Sequence, residues 1–207
     1  MLQILGRSTS INVRKVLWLC GELDLRCEQE AWGSGFRSTK EPEFLALNPN
    51  GLVPVIRDGD FVLWESNTIC RYLAARERRV DLLPVTPRER AGVEQWMDWQ
   101  ATELNDAWRY AFMALVRKSP AHDDPRRVES SVAAWNRNME ILDRQLARAD
   151  AYVVGEAFTL ADVVLGLSTH RWFMTPIERP RLAAVEAYYE RLSQRPAFRL
   201  HGRNGVP

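Results

Sequence analysis

Asn48-Pro49-Asn50-Gly51-Leu52-Val53-Pro54, followed closely by Trp64-Glu65-Ser66-Asn67-Thr68-Ile69, is the stretch whose reading decides the fold. A proline has no N–H for a sheet ladder, so Pro54 at the head of an apolar run marks an edge or an irregularity. Val53-Pro54 is a candidate cis peptide; only about 5–6% of such bonds are cis, and a plain proline-bounded loop entering a strand reads the same way. Two β-type runs, Val53–Arg57 and Phe61–Trp64, flank Asp58-Gly59-Asp60, which predicts a hairpin with antiparallel strands. Ser66 then opens a helix with Ile69, Tyr72 and Leu73 on its apolar face, running out in Arg76-Glu77-Arg78-Arg79. A serine at a helix N-terminus presents backbone N–H groups, a hydroxyl and the positive end of the dipole to an anion. With Glu65 beside it to accept from an ammonium, the pair suits an α-amino acid group. A serine that only caps its own helix explains the same residues.

Upstream, Leu2–Leu5 reads as a short buried strand, and Arg7-Ser8-Thr9-Ser10 as a polar loop. Val13, Val16, Leu17 and Cys20 recur with helical spacing, and Gly21 is expected to stop that helix. Leu25 to Trp32 is a second strand candidate, broken by Gly33-Ser34-Gly35, and Glu41 to Leu47 a short helix. The first eighty or so residues are therefore mixed α/β. Downstream, Leu83-Pro84-Val85-Thr86-Pro87 is a linker candidate, and no strand pattern follows. One helix face runs through Val93, Trp96, Gln100, Leu104, Trp108, Ala111 and Leu115. Another steps through Val128, Val132, Trp135, Met139, Leu142 and Leu146, too short a run for a coiled coil and better read as a bundle helix. Thr159 and Asp162 form a capping-box-like start, with Phe158 and Val163 placed for a hydrophobic staple. A last helix carrying Leu182, Val185, Tyr189 and Leu192 is expected to stop before Pro196. The division is residues 1–82, α/β, and 88–207, all-α.

Composition removes several classes of function. Twenty-eight Lys+Arg against 27 Asp+Glu leave a formal charge of +1 over 207 residues, with no excess to hold a nucleic acid. Hydrophobic residues are 46%, and no apolar run approaches the roughly 18 residues of a membrane span. The amino terminus reads as a strand and not as a signal peptide. Cys20, Cys27 and Cys70 make no C-x-x-C pair, and His122, His170 and His201 lack ligand spacing. A soluble cytoplasmic protein without metal, nucleic acid or membrane is the expectation.

The order strand, serine-containing loop, helix, then N-P-x-G-x-V-P, E-S-x-x-I, a linker and an all-helical half resembles the cytosolic glutathione transferase superfamily over nearly the whole chain. The resemblance implies a thioredoxin-like N-terminal domain holding glutathione as co-substrate. It also implies an all-α helical-bundle C-terminal domain completing the pocket for a small hydrophobic electrophile, usually in a homodimer. Carried over, Val53, with Leu52 before it, pairs its backbone with the cysteinyl part of glutathione. Glu65 and Ser66 hold the γ-glutamyl end, and Lys40 meets the glycine carboxylate. Ser10-Ile11-Asn12-Val13-Arg14 resembles the serine-type sites of theta-like and nu-like bacterial branches, and the loop holds no tyrosine or cysteine.

A thiol with pKa about 8.5 is only a few per cent thiolate at neutral pH. Lowering that pKa by about two units takes roughly 2.7 kcal/mol. One hydrogen bond to the charged sulfur supplies about 1.5–3, and a helix N-terminus about 0.3–1. Ser10 with the dipole of the following helix is nearly sufficient without a base. Asn12 is a second donor, as in members that act on disulfides; Ser8 and Thr9 carry the same functional group as Ser10, and all three hydroxyls could instead be helix caps. Trp108, Tyr110, Phe112 and Met113 are placed for the second-substrate pocket, although aromatics at helical spacing are commonly core. The competing readings are a glutathione-dependent disulfide reductase on the same site and a non-catalytic interaction module of the same fold.

Overall fold

The computed structural model describes residues 1–149 and 151–207. Four strands, β1 (Leu2–Leu5), β2 (Cys27–Glu30), β3 (Val55–Asp58) and β4 (Phe61–Trp64), form one sheet in the order β2-β1-β3-β4. β1 and β2 are parallel, and α1 (Ile11–Glu22) is the crossover that parallel neighbours require. β3 runs antiparallel to both β1 and β4, with Val55 opposite Leu5 on one side and Trp64 on the other. The hairpin is as expected, and Gly59 has φ +65 at its turn. β3 is a central strand, so Pro54 stands just outside it, where no ladder bond is lost. The Val53-Pro54 peptide is cis.

Helix α2 (Pro42–Leu47) lies beside the sheet, and α3 (Ser66–Arg76) follows β4. The remaining described helices are α4 (Pro87–Trp99), α5 (Asn105–Leu115), α6 (Pro125–Ala149), α7 (Leu160–Met174), α8 (Ala183–Leu192) and α9 (Pro196–His201). An α/β layer in front of a helical bundle is thus the architecture. One continuous core runs through both: Trp18 of α1 stacks on Phe198 of α9 at 4.6 Å and on Phe158 before α7 at 5.7 Å. α7 is buried on every side, as expected of a helix that is apolar all round.

Five expectations need correction. Gly21 does not end α1, which continues through Glu22; a Cβ at Gly21 would sit 2.8 Å from Ala197, so the glycine is there for close approach to α9. The left-handed turn that ends the helix falls to Asp24 at φ 52, and the Leu25 N–H closes back on the Cys20 carbonyl. β2 is shorter than Leu25–Trp32, because Trp32 turns inward to pack on Phe44 at 5.0 Å. The long helix is not uniform: one wide π turn, Gln100–Leu104, separates α4 from α5. Within α4, Met97, four residues after the buried Val93, fills the core where Trp96 was expected, while Trp96 stays half-buried against Trp99. Ser131 takes the buried place between Val128 and Val132 on α6, donating to the Ala107 carbonyl of α5 at 2.6 Å. Finally, the chain does not finish its helices at Pro196: proline at the first position of α9 starts another.

Candidate active site

Sheet register gathers three loops at one end. Leu5 and Trp64 both flank Val55, so the loop after β1, the loop before β3 and the turn after β4 emerge side by side. The first two are in contact through Gly6: a Cβ there would lie 2.5 Å from Val13 and 3.0 Å from Val53, and the residue has φ +148. Only glycine lets the β1–α1 loop pass so close to residue 53. The Gln29 amide holds this loop by donating to the Gly6 carbonyl at 2.8 Å.

Ser10 is the N-cap of α1, with extended backbone at φ −82, ψ 125. Its hydroxyl closes no capping bond, and it is half-buried, as is Asn12. A hydroxyl free at the positive end of a twelve-residue helix is placed to donate to an anion. Across from it, the Val53 N–H and carbonyl make no backbone hydrogen bond among the described residues, an open edge for another main chain. Leu52 before it is exposed and its carbonyl accepts from the buried Asn48 amide at 2.8 Å; Asn48 also takes the Asn50 N–H, so one side chain shapes the whole turn.

Glu65 and Ser66 form the third corner. Glu65 has φ 73 and ψ 109, a conformation L-residues avoid, costing of order 1–3 kcal/mol and typical of functional sites. It is exposed, while Ser66 beside it is buried, its hydroxyl unclaimed among the described residues at the start of α3. Lys40 reaches the same rim, its Nζ 3.0 Å from where a Gly51 Cβ would be. The seven residues singled out in the sequence thus belong to three adjoining loops and one neighbouring rim, at the heads of two helices.

Beneath this surface lies a network the sequence reading did not single out. The Lys15 ammonium, buried in α1, donates to Asn67 at 3.0 Å and to Gln100 at 2.8 Å. Asn67 donates to the Met97 carbonyl, and Gln100 passes on to Ser168 and Asn105. Burial lowers Lys15 to about 8, and Glu65 opposes that fall. Gln100, the first residue of the π turn, is buried in helical phase with Val93 and Met97. The available signals were a glutamine on an apolar stripe and a lysine inside an apolar run. Of the expected pocket aromatics, Trp108 and Phe112 are buried and meet edge to face at 5.5 Å, whereas Tyr110 lies under Arg127 and His122. Among the described residues no three His, Cys, Asp or Glu side chains cluster as metal ligands, and no helix is long and apolar enough to cross a membrane.

Comparison with known proteins agrees with this geometry. Residues 5–80 match the glutathione S-transferase N-terminal domain and residues 107–196 the glutathione S-transferase C-terminal domain. Glutathione S-transferase GstB of Escherichia coli K12 is 38% identical over 96% of both chains. Glutathione S-transferase 3 of Zea mays is 33% identical over 95% of this chain and 91% of its own. The theta class glutathione S-transferase of Xanthomonas axonopodis pv. citri, solved with glutathione bound, superposes with TM-score 0.93 at 37% identity, covering 100% of this chain and 99% of that one. With both halves matched in order, the chain belongs to the glutathione S-transferase family.

Proposed function

We propose that Ser10 hydrogen-bonds the sulfur of glutathione and holds it as thiolate for attack on a small electrophile. Glutathione transfer is the activity of the family, with glutathione as co-substrate. The observation that carries the reading of the site is the uncommitted hydroxyl of Ser10 at the head of α1, facing a loop whose Val53 main chain is equally uncommitted. In this reading Val53 pairs with the cysteinyl main chain, with Leu52 covering it. Ser66 and the first N–H groups of α3 take the γ-glutamyl carboxylate, Glu65 its ammonium, and Lys40 the glycine carboxylate. Asn12, half-buried two residues along α1, is the second donor to sulfur. Residues 1–82 form the glutathione-holding domain and 88–207 the domain that closes over the electrophile.

The chain is further proposed to act in the cytoplasm as a homodimer through β4, α3 and α4. β4 is a sheet edge on which Phe61 and Trp64 stay exposed, 44% and 37%. Such an edge is ordinarily covered. Sedimentation at micromolar concentration should give twice the 23.9 kDa chain mass; a monomer refutes the dimer.

The site itself is tested by titrating glutathione into the wild type and Ser10→Ala, following thiolate absorbance across pH. Ser10→Ala should keep glutathione affinity but raise the bound thiol's pKa by about one unit or more, equivalent to the loss of one charge-assisted hydrogen bond. An unchanged pKa moves the role to Asn12 or Thr9.

A further inference from the structure

Arg171, near the end of α7, is 3% exposed, yet no carboxylate among the described residues pairs with it, and its Nε is shut off from any hydrogen-bond partner. A buried cation without a counter-charge is among the costliest groups a fold can hold. What surrounds it is aromatic: its Cζ lies 4.0 Å from the Phe112 ring centre and 4.5 Å from that of Trp108. Stacking offsets part of the cost. It leaves the guanidinium N–H donors, which point along the plane of the group, without a protein acceptor among the described residues.

Its neighbours add to the positive charge. Arg117, exposed two residues past the end of α5, stands over the same Phe112 ring at 5.4 Å. Arg14 and Arg117 join burial in pushing Arg171 well down, and Arg117 reaches Arg7 in the same sense. Arg14 is matched, donating to the His201, Gly202 and Val206 carbonyls, and Lys15 is matched by Asn67 and Gln100. Arg7 sits in the loop that carries Ser10 and spends one donor on the Ser34 carbonyl. The uncompensated charge therefore lies with Arg171 of α7, Arg117 just past α5 and Arg7 of the loop that carries Ser10, Arg117 being the member felt by both of the others.

We propose that this arginine cluster receives a carboxylate on the second substrate, so that the preferred acceptor is an aryl electrophile bearing an acid group, its ring against Trp108 and Phe112. The inference rests on the glutathione transferase reading of the site. Arg171 supplies paired N–H donors to the two carboxylate oxygens, and the exposed Arg117 with Arg7 draws the anion in. For a benzylic chloride, the thiolate sulfur forms the new C–S bond as the C–Cl bond breaks. Chloride leaves, and the thiol proton has already gone to solvent.

The test compares 4-(chloromethyl)benzoate with 4-(chloromethyl)benzamide, equal in shape and leaving group, in wild type, Arg171→Met, Arg171→Lys and Arg117→Gln. Wild type should favour the acid in kcat/KM by about tenfold or more, the worth of one charge-assisted hydrogen bond. In Arg171→Met that ratio should collapse to about one, in Arg171→Lys it should partly survive, and Arg117→Gln should lower it by about threefold. Calorimetry with S-benzylglutathione and S-(4-carboxybenzyl)glutathione separates the two levels. If neither binds, the glutathione reading fails and this inference with it. If both bind equally to the wild type, only the carboxylate site is overturned, and the same holds if Arg171→Met weakens glutathione itself while the acid-to-amide ratio stays put. Should Arg171→Met not fold, the wild-type ratio and the exposed Arg117→Gln still decide.

Discussion

At the scale of single residues, the site is built from groups that the fold leaves unspent. Ser10, the Val53 main chain and Ser66 each have polar atoms without a partner among the described residues, although buried or half-buried groups are ordinarily satisfied. Glu65 goes further, since its backbone is held at φ 73 by the turn from β4 into α3. Its carboxylate is exposed, so the charge contributes little to folding and is free for a ligand's ammonium. Glu65→Gln keeps the shape and removes the charge. Glutathione affinity should fall by about tenfold or more, as expected for a charged hydrogen bond, with the melting temperature of the free protein unmoved. Isothermal titration beside a thermal melt checks both, and an equal loss of stability would mean that Glu65 serves the turn and not the ligand.

At the scale of elements, helix starts and close packing set the stability. Asp162 at the third position of α7 takes the Thr159 N–H at 2.8 Å, its hydroxyl at 3.1 Å and the Val153 N–H at 2.9 Å, joining the cap to the preceding loop. Thr159→Ala should cost about 1 kcal/mol in urea unfolding. Near the middle of α7, Gly166 faces Leu192 of α8 and Trp18 of α1, where a Cβ would lie 2.6 and 2.9 Å away. Gly166→Ala should therefore destabilise by about 1–3 kcal/mol through overpacking, despite alanine's better helix propensity; stabilisation in the same unfolding assay would contradict the close packing. The cap was legible because its signal is local, and so were β1, the hairpin and the Ser66 helix, whose periods and turn residues agree. Gly21 was misread because a glycine needed for contact with Ala197, far along the chain, looks like one needed to end a helix. The partners of Gln100 were out of view for a related reason: Lys15 and Ser168 come from two other helices. Arg171 was hidden in the same way, since its neighbours come from α5 and α1 and nothing in its own helix marks it. The site loops were readable as motifs, but their convergence follows from sheet register.

At the scale of the whole molecule, the C-terminal segment clasps the α/β layer to the bundle, and two buried titrating groups give that assembly opposed responses to acid. Arg14 of α1 binds the carbonyls of His201, Gly202 and Val206; His170 of α7 donates from Nε2 to the Val206 carbonyl at 3.0 Å, leaving Nδ1 to accept from the Tyr189 hydroxyl at 2.8 Å. A carbonyl can only accept, which fixes this neutral tautomer. Burial, with Arg14 adding to it, lowers His170 to about 4. Between about pH 6.5 and 4 the unfolded chain binds the histidine proton and the folded one does not, so this group removes stability as pH falls through that window. Asp162 works the other way. Burial raises it to about 6, so between about pH 6 and 4 the folded chain is the better proton binder, and stability from this group rises as pH falls. The wild type should accordingly show a shallow acid slope that single substitutions separate. His170→Gln should flatten or reverse the loss of unfolding free energy between pH 6.5 and 4.5, whereas Asp162→Asn should steepen it, whatever each costs at neutral pH. Urea unfolding of the three proteins across that range reads the slopes directly, and parallel curves would mean that neither buried group titrates in the folded molecule.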